Sequence, residues 1–162
     1  MDLGISEKVA PLLQRVRSFI NEQVMPVEHE FVAEIEVDDP FVLTDRQTEI
    51  MGSLKTQARE VGLWNFFLTG EEGSGLNTVE YAYLAEEMGK SRLAAEVFNC
   101  SAPDTGNMEV LHKYGSEAQK KQWLEPLLAG EIRSCFGMTE PDVASSDATN
   151  ICTSATLEGD EW

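Results

Sequence analysis

Three times along this chain a short polar residue stands three positions ahead of Glu or Gln, just before an apolar run. The pairs are Thr44 with Gln47, Asn77 with Glu80, and Ser116 with Gln119. Each has the form of a capping box, in which the first side chain accepts the N–H three residues on and the second reaches back to the first residue's own N–H. Such a pair satisfies donors that a helix start otherwise leaves open. Gly62, Gly89 and Gly130 stand where the resulting helices should stop. A chain punctuated in this way is committed to helices over roughly its first 130 residues.

The apolar spacing predicts five helices. The first, from about Glu7 to Val24, carries Val9, Leu12, Leu13, Val16, Phe19 and Ile20 on one face. Pro11 belongs in its first turn, and Met25-Pro26 is expected to end it. The second runs from Asp45 to Val61. The third follows Asn77, with Tyr81, Leu84, Ala85 and Met88 as its stripe and Glu86 and Glu87 on a solvated face. The fourth, from Asp104 to Tyr114, stops at Gly115. The fifth turns Trp123, Leu124, Leu127 and Leu128 inward, and Pro126 should bend or tighten its last turn. Short connections between them make an α-helical bundle.

The period then changes. Ser134 to Thr139 is short and apolar, as a strand would be, and Ile151 to Leu157 alternates between two sides. Glu158-Gly159-Asp160-Glu161 reads as a hairpin turn and Trp162 as the first residue of the returning strand. A hairpin cut at its turn leaves an unpaired edge, so the C-terminus is expected to be a truncation. The fold class expected is mainly α: an all-α domain over residues 1–132, followed by the first strands of an incomplete β domain over 133–162.

Charge narrows the partners. Twelve Lys and Arg against 29 Asp and Glu give a net charge of −17. Phosphate-backbone recognition needs clustered positive charge, so neither nucleic acid nor an anionic membrane surface is an expected partner. No apolar run approaches the roughly 20 residues a membrane span requires. Cys100, Cys135 and Cys152 show no metal spacing and read as reduced, mostly buried thiols. With no secretory signal at the N-terminus, they point to an intracellular, cytoplasmic setting.

Several motifs reduce to ordinary structure. Gly70-Glu-Glu-Gly73-Ser-Gly75 lacks the Lys-Ser/Thr of a phosphate loop and carries two acids, so it reads as a turn. His29 and His112 sit in no ligand pattern and read as surface or structural residues. Acidic pairs such as Glu71-Glu72 qualify as general acid–base groups only in a desolvating pocket, which a sequence does not show.

One segment keeps a functional reading. Phe136-Gly-Met-Thr-Glu-Pro-Asp-Val-Ala-Ser-Ser-Asp147 is an apolar run entering a Thr-Glu-Pro turn, then small and hydroxyl-bearing residues. Its plain reading is a strand ending in a turn, with Asp142 or Asp147 capping the bend. Its other reading is an edge that a flat polar ligand can approach closely.

The segment resembles the flavin-contacting stretch of the acyl-CoA dehydrogenases. Other stretches are similar in order and spacing: Val16-Arg17-Ser18-Phe19-Ile20 through Pro26, Ala58 through Trp64, Glu80 through Gly89, and Tyr114 through Gly130. The resemblance covers nearly the whole chain. One departure stands out: most of the family has Thr-Glu-Pro-x-Ala-Gly-Ser-Asp, whereas Asp142 to Asp147 is one residue longer and has no glycine. Ala144 or Ser145 takes the glycine's place, as in a branch in which some members carry a kinase-like domain before the dehydrogenase.

The resemblance implies FAD held between helical and β domains. Main-chain groups of Gly137, Met138 and Thr139 and the Thr139 hydroxyl would bond the isoalloxazine edge. Phe136 would lie beside the ring, Ala144 and Ser145 near the cofactor, and Ser146 near acyl-CoA or flavin. The reaction implied is FAD-dependent α,β-dehydrogenation of an acyl-CoA thioester, a step of fatty acid metabolism. The family's catalytic base lies in a C-terminal domain with no counterpart here, so this chain alone is expected to be inactive. The family also implies a helix from Phe98 to Asn107 bordering the acyl pocket, an electron-accepting flavoprotein partner, and a homo-oligomer at full length. Two other readings remain: a related flavin oxidase or monooxygenase, or a non-enzymatic helical interaction module.

Overall fold

The structure is a computed structural model and describes residues 4–34, 42–71 and 73–161. The expectations for Glu72, for Trp162 and for the first three residues fall outside that range. Among the described residues the regular structure is helical and the core is a single apolar cluster.

All three capping boxes form. Gln47, Glu80 and Gln119 donate their N–H to Thr44, Asn77 and Ser116, and each reciprocal bond is also made. They start α3 (Asp45–Glu60), α4 (Thr78–Met88) and the short α7 (Glu117–Gln119). Upstream lie α1 (Ala10–Phe19), with Pro11 in its first turn, and α2 (Met25–Ala33). Between α4 and α7 come the one-turn α5 (Ala94–Val97) and α6 (Asp104–Tyr114). After α7 the chain turns into α8 (Glu125–Leu128).

Met25-Pro26 does not end the first helix. Between α1 and α2 the five residues Ile20–Val24 widen into a π turn, where the Met25 N–H reaches the Ile20 carbonyl. In a regular α-helix the Pro26 ring would collide with the carbonyl four residues back, and its missing N–H would break the ladder. One extra residue in the preceding turn sets Pro26 as if in a first helical turn, so the helix runs on to Ala33. The device recurs before Pro126: Lys120–Leu124 form a π turn, and Glu125 N–H bonds the Lys120 carbonyl. Pro126 thus follows a widened turn, not a tightened one. The widening also changes the buried face. Leu124 and Leu127 are buried and Leu128 partly so, but Trp123, expected inward, is 47% exposed.

The core forms where α1 packs on α4, α2 on α3, and α5 on both α3 and α4. Phe98, fully buried, lies at 5.4 Å from Phe19 and 5.8 Å from Phe66, ring centre to ring centre. Glu87 corrects the expectation of a solvated face. It is 6% exposed and accepts Arg17 Nε at 3.1 Å and Lys90 Nζ at 2.7 Å. Its carboxylate is tolerable there because two cations from α1 and the α4 terminus pair with it.

No helix covers Phe98 to Asn107. Residues 98–103 form a loop after α5, and helix resumes only at Asp104. The Gly70–Gly75 turn bonds itself: Gly70 N–H meets Leu76 O at 2.8 Å, and Ser74 N–H meets Leu68 O at 2.7 Å. Those donors are taken up within the turn, and among the described residues no phosphate cradle opens. Gly73 lies so close to the Leu68 carbonyl that a Cβ there would overlap it.

The expected strands at Ser134–Thr139 and Ile151–Leu157 are absent as paired elements, and among the described residues no ladder forms. A strand is stabilised by main-chain pairing with a neighbour, and neither stretch makes such pairing with another described segment. The turn itself is present: Glu158 and Glu161 bridge through Glu158 N–H to Glu161 O at 2.8 Å. Among the described residues no helix is long and apolar enough to cross a membrane.

Candidate functional site

The segment that carries the functional reading leaves the bundle just after α8. Asn99 Nδ2, Trp64 Nε1, Asn65 Nδ2 and Arg59 Nη1 cap the last carbonyls of α8, from Leu127 to Ala129. Gly130, with φ of 68°, then turns the chain beneath the Trp64 ring, where a Cβ would crowd that ring. Three residues on, the chain is gripped again, this time by α6.

Asp104, the first residue of α6, is 3% exposed. One carboxylate oxygen accepts the Ser134 N–H at 2.7 Å and the Ser134 hydroxyl at 2.6 Å, and the other accepts Arg133 Nε. Asn107, one turn along, donates to Ser134 Oγ at 2.9 Å and to the Cys135 carbonyl at 3.2 Å. Burial pushes the Asp104 carboxyl up, but the Ser134 hydroxyl and N–H and the Arg133 guanidinium outweigh it and hold the group below its usual value. Arg133 Nη1 also meets Glu96 of α5 at 2.5 Å, and Lys55 of α3 meets the same carboxylate oxygen at 2.6 Å.

Beyond this grip the edge is open. Phe136 is 59% exposed and Met138 37%, and a Cβ at Gly137 would meet nothing within 4 Å. Met138 N–H turns back to the Phe136 carbonyl at 3.1 Å. The N–H groups of Gly137 and Thr139 and the Thr139 hydroxyl have no partner among the described residues. An apolar ring, a side-chain-free main chain and a free donor set thus lie together on one exposed stretch.

The turn that follows is self-contained. Glu140 N–H bonds the hydroxyl of Ser145, which is 3% exposed. The Glu140 carboxylate reaches across to Ile151–Leu157, accepting Cys152 N–H at 3.0 Å, Thr153 N–H at 2.9 Å and the Thr153 hydroxyl at 2.5 Å. The Thr153 hydroxyl first, then the Cys152 N–H, hold this carboxyl below the usual range. Asp147 caps a short 3₁₀ turn, Ala148–Asn150, by accepting Thr149 N–H at 3.0 Å.

The seven residues singled out from the sequence therefore separate into two groups. Phe136, Gly137, Met138 and Thr139 form the exposed edge. Ala144 and Ser146 are exposed on the turn, whereas Ser145 faces inward as an acceptor for Glu140. Asp104, Asn107 and Arg133, which tie this edge to the bundle, were not singled out. Their partners lie some thirty residues apart, and no local pattern links them. The thiols divide as well: Cys100 is buried, but Cys135 and Cys152 are exposed, contrary to the expectation of mostly buried thiols, because among the described residues no layer packs over the segment that carries them.

With this geometry in view, the comparisons with known proteins are consistent. Residues 6–131 match the family profile described as acyl-CoA dehydrogenase, N-terminal domain. The chain is 50% identical to acyl-CoA dehydrogenase family member 11 of Homo sapiens, covering 97% of this chain and 20% of that protein. It is 47% identical to FadE2 of Mycobacterium tuberculosis, which bears the name probable acyl-CoA dehydrogenase, over 100% of this chain and 39% of that protein. A solved structure from Mycobacterium abscessus, provisionally named an acyl-CoA dehydrogenase, superposes with a TM-score of 0.83 at 53% identity, covering 97% of this chain and 40% of that one. The chain spans about a fifth to two fifths of the length of these relatives. It belongs to the acyl-CoA dehydrogenase family, and residues 6–131 are that family's N-terminal domain.

Proposed function

We propose that this chain supplies one side of an FAD site in an enzyme that desaturates an acyl-CoA thioester between Cα and Cβ. The observation that supports this reading most is the exposed edge at residues 136–139, with its unpartnered donors, following directly on the family's N-terminal domain. The donor set suits a flavin: main-chain N–H groups and a hydroxyl for a heteroatom-rich edge, and an aromatic side chain for a flat ring. In the active polypeptide this chain is joined to the family's remaining domains, with the helical domain ending near Ile132 and residues 133–162 opening the β domain. The strands that lack partners here would find them there.

FAD, when bound, supplies the acceptor for the hydride that leaves Cβ. The chain's own residues bind and orient. Gly137, Met138 and Thr139 hold the ring edge, and Phe136 shields one side of it from water. Ala144 and Ser145 shape the turn that takes the family glycine's place, and Ser146 reaches toward the acyl-CoA. Orientation of reacting atoms is a large part of what a protein contributes to such a reaction. No residue of this chain serves as the base at Cα, so the chain by itself is inactive. We further propose a homo-oligomeric enzyme in an intracellular compartment, with an electron-accepting flavoprotein as its partner.

The test is reconstitution with FAD of the polypeptide that joins this chain to the family's remaining domains. A yellow protein whose FAD affinity falls in Thr139→Val is the expected result. A colourless protein that takes up no FAD would leave the exposed apolar residues of the edge to the competing reading, a helical interaction module.

A further inference from the structure

The candidate edge hangs from a single turn of helix. Asp104 and Asn107 project from the first turn of α6, and between them they bond three consecutive residues, 133 to 135, through side chain and main chain alike. Arg133 is held on its other side by Glu96, which Lys55 pairs in turn, so α3, α5 and α6 converge on this point. In a chain with only 12 basic residues, two are committed to this one junction. Phe136 follows immediately, and from there to Thr139 no side chain among the described residues of the bundle bonds the segment. The direction in which the edge leaves the bundle is therefore set at Ser134 and Cys135.

We propose that Asp104 and Asn107 are positioning residues for the flavin edge, orienting residues 136–139 through Ser134 and Cys135 without touching the flavin themselves. The inference rests on the flavin reading above. Its physical content is a lever. The grip fixes two successive residues of the main chain, and loss of one of its bonds lets the edge swing. A displacement of about 1 Å at a ligand-orienting group is enough to lower function by about a hundredfold. A purely structural role predicts otherwise. If the cluster only closes the end of the bundle, its loss changes stability and leaves the flavin unaffected.

The two residues are unequal as probes. Asp104 is buried, charged and set at a helix start, so its removal also costs stability. Asn107 is uncharged and partly exposed, and its two hydrogen bonds go to Ser134 and Cys135, just ahead of the edge. Asn107→Ala is therefore the deciding variant. It is made in the polypeptide that joins this chain to the family's remaining domains, together with Asp104→Asn and Asp104→Ala. FAD affinity is read by fluorescence titration, the environment of the flavin by its visible absorption band, and the grip by hydrogen exchange at the Ser134 amide.

Asn107→Ala is expected to weaken FAD binding about tenfold, the effect of roughly one lost hydrogen bond at the ring. It should also shift the absorption band and speed exchange at Ser134, while the melting temperature stays close to that of the wild type. Asp104→Asn, which keeps an acceptor for Ser134, should weaken FAD less than Asp104→Ala. Wild-type affinity and spectrum in a folded Asn107→Ala protein would overturn the inference while leaving the flavin reading intact, even if Asp104→Ala failed to fold. If the wild type bound no FAD, the flavin reading would fall and take this inference with it.

Discussion

Asn99, in the loop after α5, ties the turn after α3 to the end of α8, and the cost of replacing it follows from the structure. The residue is 6% exposed and sits in the left-handed region with φ of 55°. Its Nδ2 donates to Asn65 Oδ1 at 2.7 Å and to the Leu127 carbonyl at 3.0 Å, one of the terminal carbonyls that helix geometry leaves open. Asn99→Ala removes these two bonds, at about 1 kcal/mol each, together with a longer contact from Nδ2 to the Leu128 carbonyl at 3.4 Å. It also places an ordinary L-residue in the left-handed region, at about 1 kcal/mol more. The sum is about 3 kcal/mol, or about 6–12 °C of melting temperature for a domain of this size.

Asn99→Gly separates the terms. It loses the same bonds without the backbone strain, although its greater freedom when unfolded returns part of the difference. Glycine should therefore be the milder change, by roughly 0.5–1 kcal/mol. Equilibrium urea unfolding followed by tryptophan fluorescence reads both, since Trp64 Nε1 bonds the neighbouring Leu128 carbonyl at 2.8 Å. If Asn99→Ala were milder than Asn99→Gly, or cost less than about 1 kcal/mol, the capping and strain assigned to this residue would be refuted.

Other outcomes follow from the same structure. Gly73→Ala should destabilise the protein in thermal unfolding, because the new methyl overlaps the Leu68 carbonyl; an unchanged melting temperature would show that the turn can shift. Hydrogen bonding from Arg17 holds the Glu87 carboxyl below its usual value. The stability this adds is present above the ordinary carboxylate range and lost as pH falls through the folded-state value. Arg17→Gln should thus lower the urea midpoint at pH 7, and the gap should close in acid; a gap that widened on acidification would contradict the pairing. Burial pushes the Cys100 thiol up to about 11, while Cys135 and Cys152 are exposed. Iodoacetamide at pH 8 should alkylate those two first and leave Cys100 unmodified until the protein unfolds, as peptide mass spectrometry would show.

What could be read from the sequence was local. The three capping boxes and the stops at Gly62 and Gly130 lie within a few residues of the groups they satisfy, and they mark α3, α4 and the start of α7 correctly. Pro26 reads as a helix end and Pro126 as a bent or tightened last turn, whereas a widened turn precedes each, and nothing in Ile20–Val24 or Lys120–Leu124 announces a π turn. Glu87 shows the same limit in the core: its place on α4 puts it off the apolar stripe, and only the approach of Arg17 from α1 makes its burial tolerable. At the candidate site the edge residues were legible as a motif. Their anchoring through Asp104 and Asn107 was not, because it depends on the packing of α6 against residue 134. Ser134–Thr139 is short and apolar and Ile151–Leu157 alternates, but strand pairing depends on a neighbour and not on pattern alone.

The proposal that the edge at residues 136–139 serves a flavin that oxidises acyl-CoA meets its sharpest test in the reduction of that flavin by substrate. Anaerobic titration of the FAD-loaded polypeptide, carrying this chain and the family's remaining domains, with acyl-CoAs of increasing length tests it most directly. Bleaching of the flavin band by one length class, with slow recovery on admitting oxygen, is the predicted result. Rapid recovery in oxygen would place the enzyme among the flavin oxidases, and a flavin that no acyl-CoA bleaches would rule out an acyl-CoA thioester as its substrate.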